Sequence, residues 1–316
     1  MEEREILKVK RLTAQWLEHL EMENYSPCTI RDYAKGLRDF SRYLQAEDVG
    51  ELASVTGETM YRYQLHVYQE TYKGKRLNLQ TQRGRLVAVR SFFRYLLRRG
   101  RVLSDPSSGL ELPRPKKGLP RGIMTAREVN KILAQPDLDT PMGLRDRAML
   151  ETFYSTGART SELQNLTVHD ADLGRGELRI EEGKGRRGRV VPLGEVAAHY
   201  VGRYLERGRP TLAGARPDAE GWLFLSRYGE KLGGGGVNLR IRAYLRQAGI
   251  VKRVTAHGFR HTCATHMLRG GAGIRHIQAL LGHRSLETTQ LYTRVEMGDL
   301  KREHRRTHPR EQSRGV

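Results

Sequence analysis

A chain of 316 residues, 38% of them hydrophobic, is long enough for two compact domains, because single cores commonly stop growing at roughly 150 to 250 residues. Lysine and arginine number 56 against 36 acidic residues, a formal charge of +20 with a pI near 10.2, which favours a polyanionic partner and places nucleic acid ahead of an anionic membrane. No apolar span reaches about 18 residues, Cys28 and Cys263 offer neither a disulfide framework nor a CxxC metal site, and Met1 to Lys10 lacks the apolar core of a secretory signal, so a cytoplasmic protein with no membrane attachment is expected.

Val9 to Met22 carries Leu12, Trp16, Leu17 and Leu20 at helical spacing, and a second amphipathic run after Ser26-Pro27 aligns Ile30, Tyr33, Leu37, Phe40 and Leu44. Glu58 to Tyr72 reads as a third helix. Leu79 to Arg99 reads as a fourth, with Leu86, Val89, Phe93, Leu96 and Leu97 inward and Arg83, Arg85, Arg90, Arg94, Arg98 and Arg99 mostly outward. The first hundred residues therefore form a small helical bundle, and its outward arginines are either a solvated face or a nucleic-acid surface.

From Ser104 to Gly122 the composition turns to Ser, Pro, Gly and basic residues, which neither continue a helix nor join a central strand, so this is a linker. Thr125 with Glu128 is a capping box opening the second domain. A helix from Leu144 to Ser155 leads to Thr156-Gly157-Ala158-Arg159, and another starts near Thr160. Glu177 to Ile180 and Gly188 to Leu193 are β-prone and flank Glu182-Gly183-Lys184-Gly185-Arg186-Arg187, a hairpin with a projecting basic tip. Gly233 to Gly236 suggests a flexible turn before a helix over Val237 to Ala248, without the context of a phosphate-cradling loop. The tail from Met297 to Val316 is polar and basic.

Chemistry concentrates near the end of the chain, in His257-Gly258-Phe259-Arg260, Leu281-Gly282-His283 and Tyr292-Thr293. Arginine makes bidentate contacts to phosphate oxygens, histidine moves protons near neutral pH, and a tyrosine hydroxyl can be a nucleophile. Such a set suits a phosphodiester. A zinc reading of His257, His261 and His266 fails because His266 would lie off the face of the other two, no carboxylate or thiolate completes four ligands, and Arg260 sits among them.

With these segments the chain resembles the tyrosine recombinases, or phage integrase family, and within it the Xer-like branch. Thr156 to Leu163 resembles the box of the first arginine. His257 to His266 resembles the second box, and Leu280 to Ser285 through Thr293 the third. Gly-Ala-Arg-Thr at residues 157–160 and Phe259 depart from the more usual Gly-Leu-Arg-Ile and leucine. The resemblance implies a mostly α fold with a small β-sheet: a SAM-like helical core-binding domain (1–103), a basic linker (104–122), a mixed α/β catalytic domain (123–296) and a basic tail (297–316), the two domains forming a C-shaped DNA clamp.

It implies a site-specific DNA recombinase or integrase, with Tyr292 as nucleophile, Arg159 and Arg260 on the phosphate, His283 as a further donor, His257 assisting at the tyrosine, and Lys184 as general acid. Glu162, a turn after Arg159, would orient that arginine, and His261 would hydrogen-bond within the site. Arg186, Arg187 and Arg189 are expected to touch phosphates only. No metal and no cofactor are implied. Candidate DNA contacts are Arg31, Lys35, Arg83, Arg90, Arg94, Lys116 and Lys117. The implied partners are double-stranded DNA with paired sites and a homotetramer, in which residues 295–306 either dock on the next protomer or remain a solvated tail. A type IB topoisomerase-like activity and a non-catalytic DNA-binding accessory protein are the competing readings.

Overall fold

The computed structural model describes residues 3–114, 122–181, 188–214, 216, 221–282 and 297–312. Lys116, Lys117, Lys184, Arg186, Arg187, His283 and Tyr292 lie outside the described residues. The chain divides into two compact units, Met1–Lys117 and Gly118–Val316.

The first unit contains α1 (Glu3–Met22), α2 (Pro27–Ala46), α3 (Gly57–Gln69) and α4 (Leu79–Arg98). Ser26, Thr56 and Asn78 each accept the backbone N–H three residues on, which starts α2, α3 and α4 at donors that have no partner inside the helix. The core is aromatic: Trp16, Phe40, Tyr63, Phe92 and Phe93 are buried, and Phe40 meets Tyr63 edge-on at 4.8 Å. Helices α2 and α4 approach so closely that a Cβ on Gly36 would lie 2.8 Å from the Ala88 Cβ.

Several expectations change here. Helix α3 stops at Gln69 instead of Tyr72, because Lys73 and Gly74 take positive φ (52° and 73°) and turn Thr71–Tyr72 (β1) back onto Lys75–Arg76 (β2). Leu97 is 41% exposed, not inward. The arginines of α4 are not uniformly outward: Arg85 is ion-paired with Asp39 (3.1 Å) and Glu70, Arg83 donates to the Pro113 carbonyl (3.2 Å), and Arg90 donates to that of Leu110. The same bonds show that the start of the expected linker closes on the first unit, with Ser107 and Leu110 buried.

In the second unit α6 (Pro141–Thr156) is buried almost all round, packed by α5 (Ala126–Leu133), α8 (Glu195–Arg203) and α11 (Ala256–Arg269). Its two buried carboxylates are tolerated because each is paired. Asp146 accepts from Arg145, from Arg240 (2.6 Å) and from the Tyr244 hydroxyl (2.7 Å), while Glu151 accepts from Arg147 (3.0 Å) and Arg310 (2.6 Å). Helix α7 (Thr160–Gln164) precedes an antiparallel sheet of β3 (Ala171–Asp172), β4 (Glu177–Ile180) and β5 (Arg189–Pro192), in which Ile180 faces Arg189. Then come α9 (Arg209–Ala213), α10 (Gly234–Gln247), α11 and α12 (Ile274–Leu281). Gly234 to Gly236 form the first turn of α10, not a turn before it, since first-turn N–H groups need no intrahelical partner.

The tail is also corrected. It folds as α13 (Met297–Thr307) and α14 (Pro309–Gln312) on its own unit, with Leu300, His304, Thr307 and His308 buried. His304 Nε2 donates to the Ser155 carbonyl (2.8 Å) and His308 Nε2 to that of Tyr154 (2.9 Å), satisfying two last-turn carbonyls of α6. His308 Nδ1 meanwhile accepts the Arg310 N–H at 3.3 Å, which requires a neutral ring. Among the described residues no helix is long and apolar enough to cross a membrane.

Burial pushes His304 down to about 4 and His308, next to His304, His266 and Arg310, well below the usual histidine range. The undocked segment therefore takes up protons first as pH falls below about 6.5, so docking is fully stable above that pH and weakens toward pH 4, by up to about 1.4 kcal/mol per pH unit for each histidine. Protection factors over α13 and α14, taken relative to the intrinsic exchange rate at each pH, should be high at pH 7.5 and much lower at pH 5. Protection that follows only the intrinsic pH dependence of exchange would contradict this.

Candidate active site

Helix α6 ends at Gly157, which is left-handed (φ 61°), and α12 ends at Gly282, also left-handed (φ 63°). The two ends nearly touch, for a Cβ on Gly157 would stand 2.6 Å from Leu281 Cδ2. Beyond Gly157 the chain extends to Arg159, the N-cap of α7, and one helical turn on stands Glu162. The Glu162 carboxylate accepts the Arg159 backbone N–H at 2.7 Å and also pairs with the Arg159 guanidinium. Glu162 thus contacts Arg159 through both backbone and side chain.

A third arginine joins them. Arg189, at the start of β5, forks onto Glu162 with both Nη–Oε distances at 2.9 Å, and its side chain is 13% exposed. It was expected to touch phosphates only, yet it faces inward. The signal was available in the period of a strand: Arg189 shares a face with buried Val191, while Val190 between them is exposed. The basic run around it obscured that alternation.

The three guanidinium groups share one further support. Three successive carbonyls at the end of α12 each accept from a different arginine: Leu280 from Arg189 Nε (3.1 Å), Leu281 from Arg260 Nη2 (2.5 Å) and Gly282 from Arg159 Nη2 (3.2 Å). Arg260 also donates to the Gly157 carbonyl at 2.8 Å. Carbonyls at a helix C-terminus carry partial negative charge, which suits cations. Burial first, and then the neighbouring Arg159 and Arg189 charges, pull the Arg260 guanidinium down to about 10. Burial would raise the Glu162 carboxyl, but the fork from Arg189 and the bonds from Arg159 more than offset it and hold it at about 2.

Arg260 is 2% exposed, whereas the Arg159 side chain is 38% exposed. His257 and His261 share α11 with Arg260, and their rings meet edge to face at 4.3 Å. His266 turns to the Tyr154 hydroxyl (2.8 Å), and Cys263 is fully buried with its thiol pushed up to about 12. Among the described residues no three His, Cys, Asp or Glu side chains cluster as a metal site.

In the first unit Arg31, Lys35 and Arg94 are exposed, while Arg83 and Arg90 are half-buried on the carbonyls named above. A groove of about 390 Å³ runs between α2 and α4, lined by Thr29, Asp32, Lys35, Asp39, Gln80 and Arg85 among others.

Residues 123–298 match the phage integrase family, and residues 13–100 match the phage integrase N-terminal SAM-like domain. The chain is 40% identical over 304 residues to tyrosine recombinase XerC 2 of Ralstonia nicotianae, covering 96% of this chain and 87% of that protein. It is 37% identical to tyrosine recombinase XerD of Pseudomonas aeruginosa, covering 95% and 96% respectively. Among solved structures, the Tn1549 transposon integrase in complex with a circular intermediate DNA aligns with a TM-score of 0.67 at 18% identity, covering 88% of this chain and 92% of that one. That last likeness concerns the fold.

Replacing Gly157 by alanine forces an L-residue into a left-handed conformation and drives its Cβ against Leu281. A loss of about 1 to 2 kcal/mol from the backbone alone is expected. Chemical denaturation measures it, and an unchanged midpoint would disprove the close approach of α6 and α12.

Proposed function

The chain belongs to the phage integrase family and is a site-specific DNA recombinase of the tyrosine type, and from that premise we propose how its residues divide the reaction. Double-stranded DNA is the substrate. The Tyr292 hydroxyl attacks a scissile phosphodiester, forming an O–P bond to the tyrosine as the bond to the 5′-oxygen breaks. His257 assists removal of the tyrosine proton, and Lys184 delivers a proton to the departing 5′-oxygen. The product is a 3′-phosphotyrosyl link with a free 5′-hydroxyl, and reversal with a second strand rejoins the DNA through a Holliday junction.

Arg159, Arg260 and His283 donate to the non-bridging oxygens, where negative charge builds in the transition state. The observation that supports this most is the gathering of Arg159 and Arg260 on the carbonyl ends of α6 and α12. There backbone carbonyls hold the guanidinium groups, and donors held in place cost no reorganisation during reaction. A guanidinium has five N–H donors, and Arg260 commits two of them to carbonyls among the described residues. No step of the scheme calls for a metal or a cofactor.

For binding we assign α2 and the exposed part of α4 to the duplex, with Arg31, Lys35 and Arg94 as contacts and the groove that Lys35 lines as the place to read base edges. Lys116, Lys117, Arg186 and Arg187 serve as phosphate contacts. Affinity then falls with salt by a log–log slope of about 0.9 per neutralised phosphate. Four strand cuts on two sites call for a homotetramer.

A duplex selected by this protein from a randomised pool, and nicked so that rejoining fails, should yield a denaturant-resistant protein–DNA adduct. Tyr292→Phe should abolish the adduct and keep binding; an equal yield would remove Tyr292 as nucleophile. Lys184→Ala should bind normally and cleave slowly, with its rate restored by a 5′-bridging phosphorothiolate, whose sulfur leaves without a proton. Arg159→Ala should lose about 100- to 1000-fold in cleavage rate. Relaxation of supercoils by a monomer that never joins two sites would instead favour the topoisomerase-like reading.

A further inference from the structure

We propose that Arg189 is a positioning residue for strand cleavage, acting through Glu162 on Arg159 and through the Leu280 carbonyl on the turn that leads to His283; this rests on the division of labour above. Arg189 makes three bonds with different targets. Two form the planar fork onto Glu162, at 2.9 Å each, and the third runs from Nε to Leu280 at 3.1 Å.

The fork matters because Glu162 also holds Arg159 by backbone and by side chain. A carboxylate bonded only to Arg159 could swing with it, whereas one whose two oxygens are also forked by a second guanidinium is fixed in plane and in distance. The third bond ties the same guanidinium to the end of α12, two carbonyls before the one that receives Arg159. Arg159 is thereby fixed from both sides through one intermediary.

Gly282 is shaped around this arrangement. A Cβ there would lie 3.0 Å from Arg189 Nη1 and 3.1 Å from its Cδ and Cζ, so the guanidinium packs against the turn as well as bonding to it. Lysine cannot substitute, because a single ammonium reaches neither both carboxylate oxygens in plane nor the carbonyl behind them. The residue touches no reacting atom in the scheme. Its effect is on geometry.

The test uses the full chain and the nicked, selected duplex, measuring duplex affinity and the single-turnover rate of adduct formation separately. Arg189→Gln should slow cleavage about 10- to 100-fold, the range typical when an outer-shell partner of a functional side chain is lost, with affinity changed less than about threefold. Arg189→Lys should fall in the same range. In a Glu162→Gln background the further loss from Arg189→Gln should shrink to a fewfold, because the two share one pathway.

A 5′-bridging phosphorothiolate should restore Lys184→Ala but not Arg189→Gln. Full additivity with Glu162→Gln, rescue by the phosphorothiolate, rescue by lysine, or parallel loss of affinity and rate in both Arg189 variants would each overturn the proposal. Absence of any adduct with the unaltered chain would instead reject the underlying reading.

Discussion

The constraint on which this structure turns is the mutual repulsion of three arginines around a single carboxylate. Burial first, and then the charges of Arg159 and Arg189, depress the Arg260 guanidinium, and Glu162 offsets only one unit of the charge of the three arginines. Among the described residues, four backbone carbonyls from the ends of two helices also accept from these arginines. A helix C-terminus presents roughly half a negative charge. Two such ends brought together are what make the cluster tolerable, and the left-handed glycines at 157 and 282 are what allow them to meet.

The central helix α6 consequently does more than fill the core. Its last carbonyls are shared between two parts of the unit: Tyr154 and Ser155 receive His308 and His304, while Gly157 receives Arg260. The C-terminal helices and the arginine cluster are thus anchored on neighbouring peptide units of one helix end. Buried Glu151 on the same helix binds Arg310, so docking of the C-terminal segment and stability of α6 are linked.

Much of the site was legible because its spacing is short. Arg159 and Glu162 are three residues apart at a helix start, where local geometry alone brings them together. The helices of the first unit were legible from apolar period, although α3 ended early where Lys73 and Gly74 adopted positive φ, a choice that helical periodicity does not record. What stayed hidden was long-range. Arg83 and Arg90 look like solvent-facing charges until the 110–113 segment folds over them, and the carbonyls that receive Arg159, Arg189 and Arg260 have no side-chain signature at all. The tail reads from sequence as either docking on another protomer or staying solvated, and its packing on its own unit was hidden because the buried face is made of histidine and threonine as well as leucine.

The three successive acceptors on α12 carry a consequence for how this segment can vary. A backbone carbonyl is supplied by any residue, so Leu280 and Leu281 answer to core packing, and their side chains can change without touching the arginines. The count of residues is another matter. Adding or removing one rotates every following carbonyl by about 100° and shifts it by about 1.5 Å along the axis, which would detach Arg159, Arg189 and Arg260 together. At the end of α12 the arginines therefore depend on the count of residues rather than on the identity of the Leu280 and Leu281 side chains, a reading frame written in peptide units.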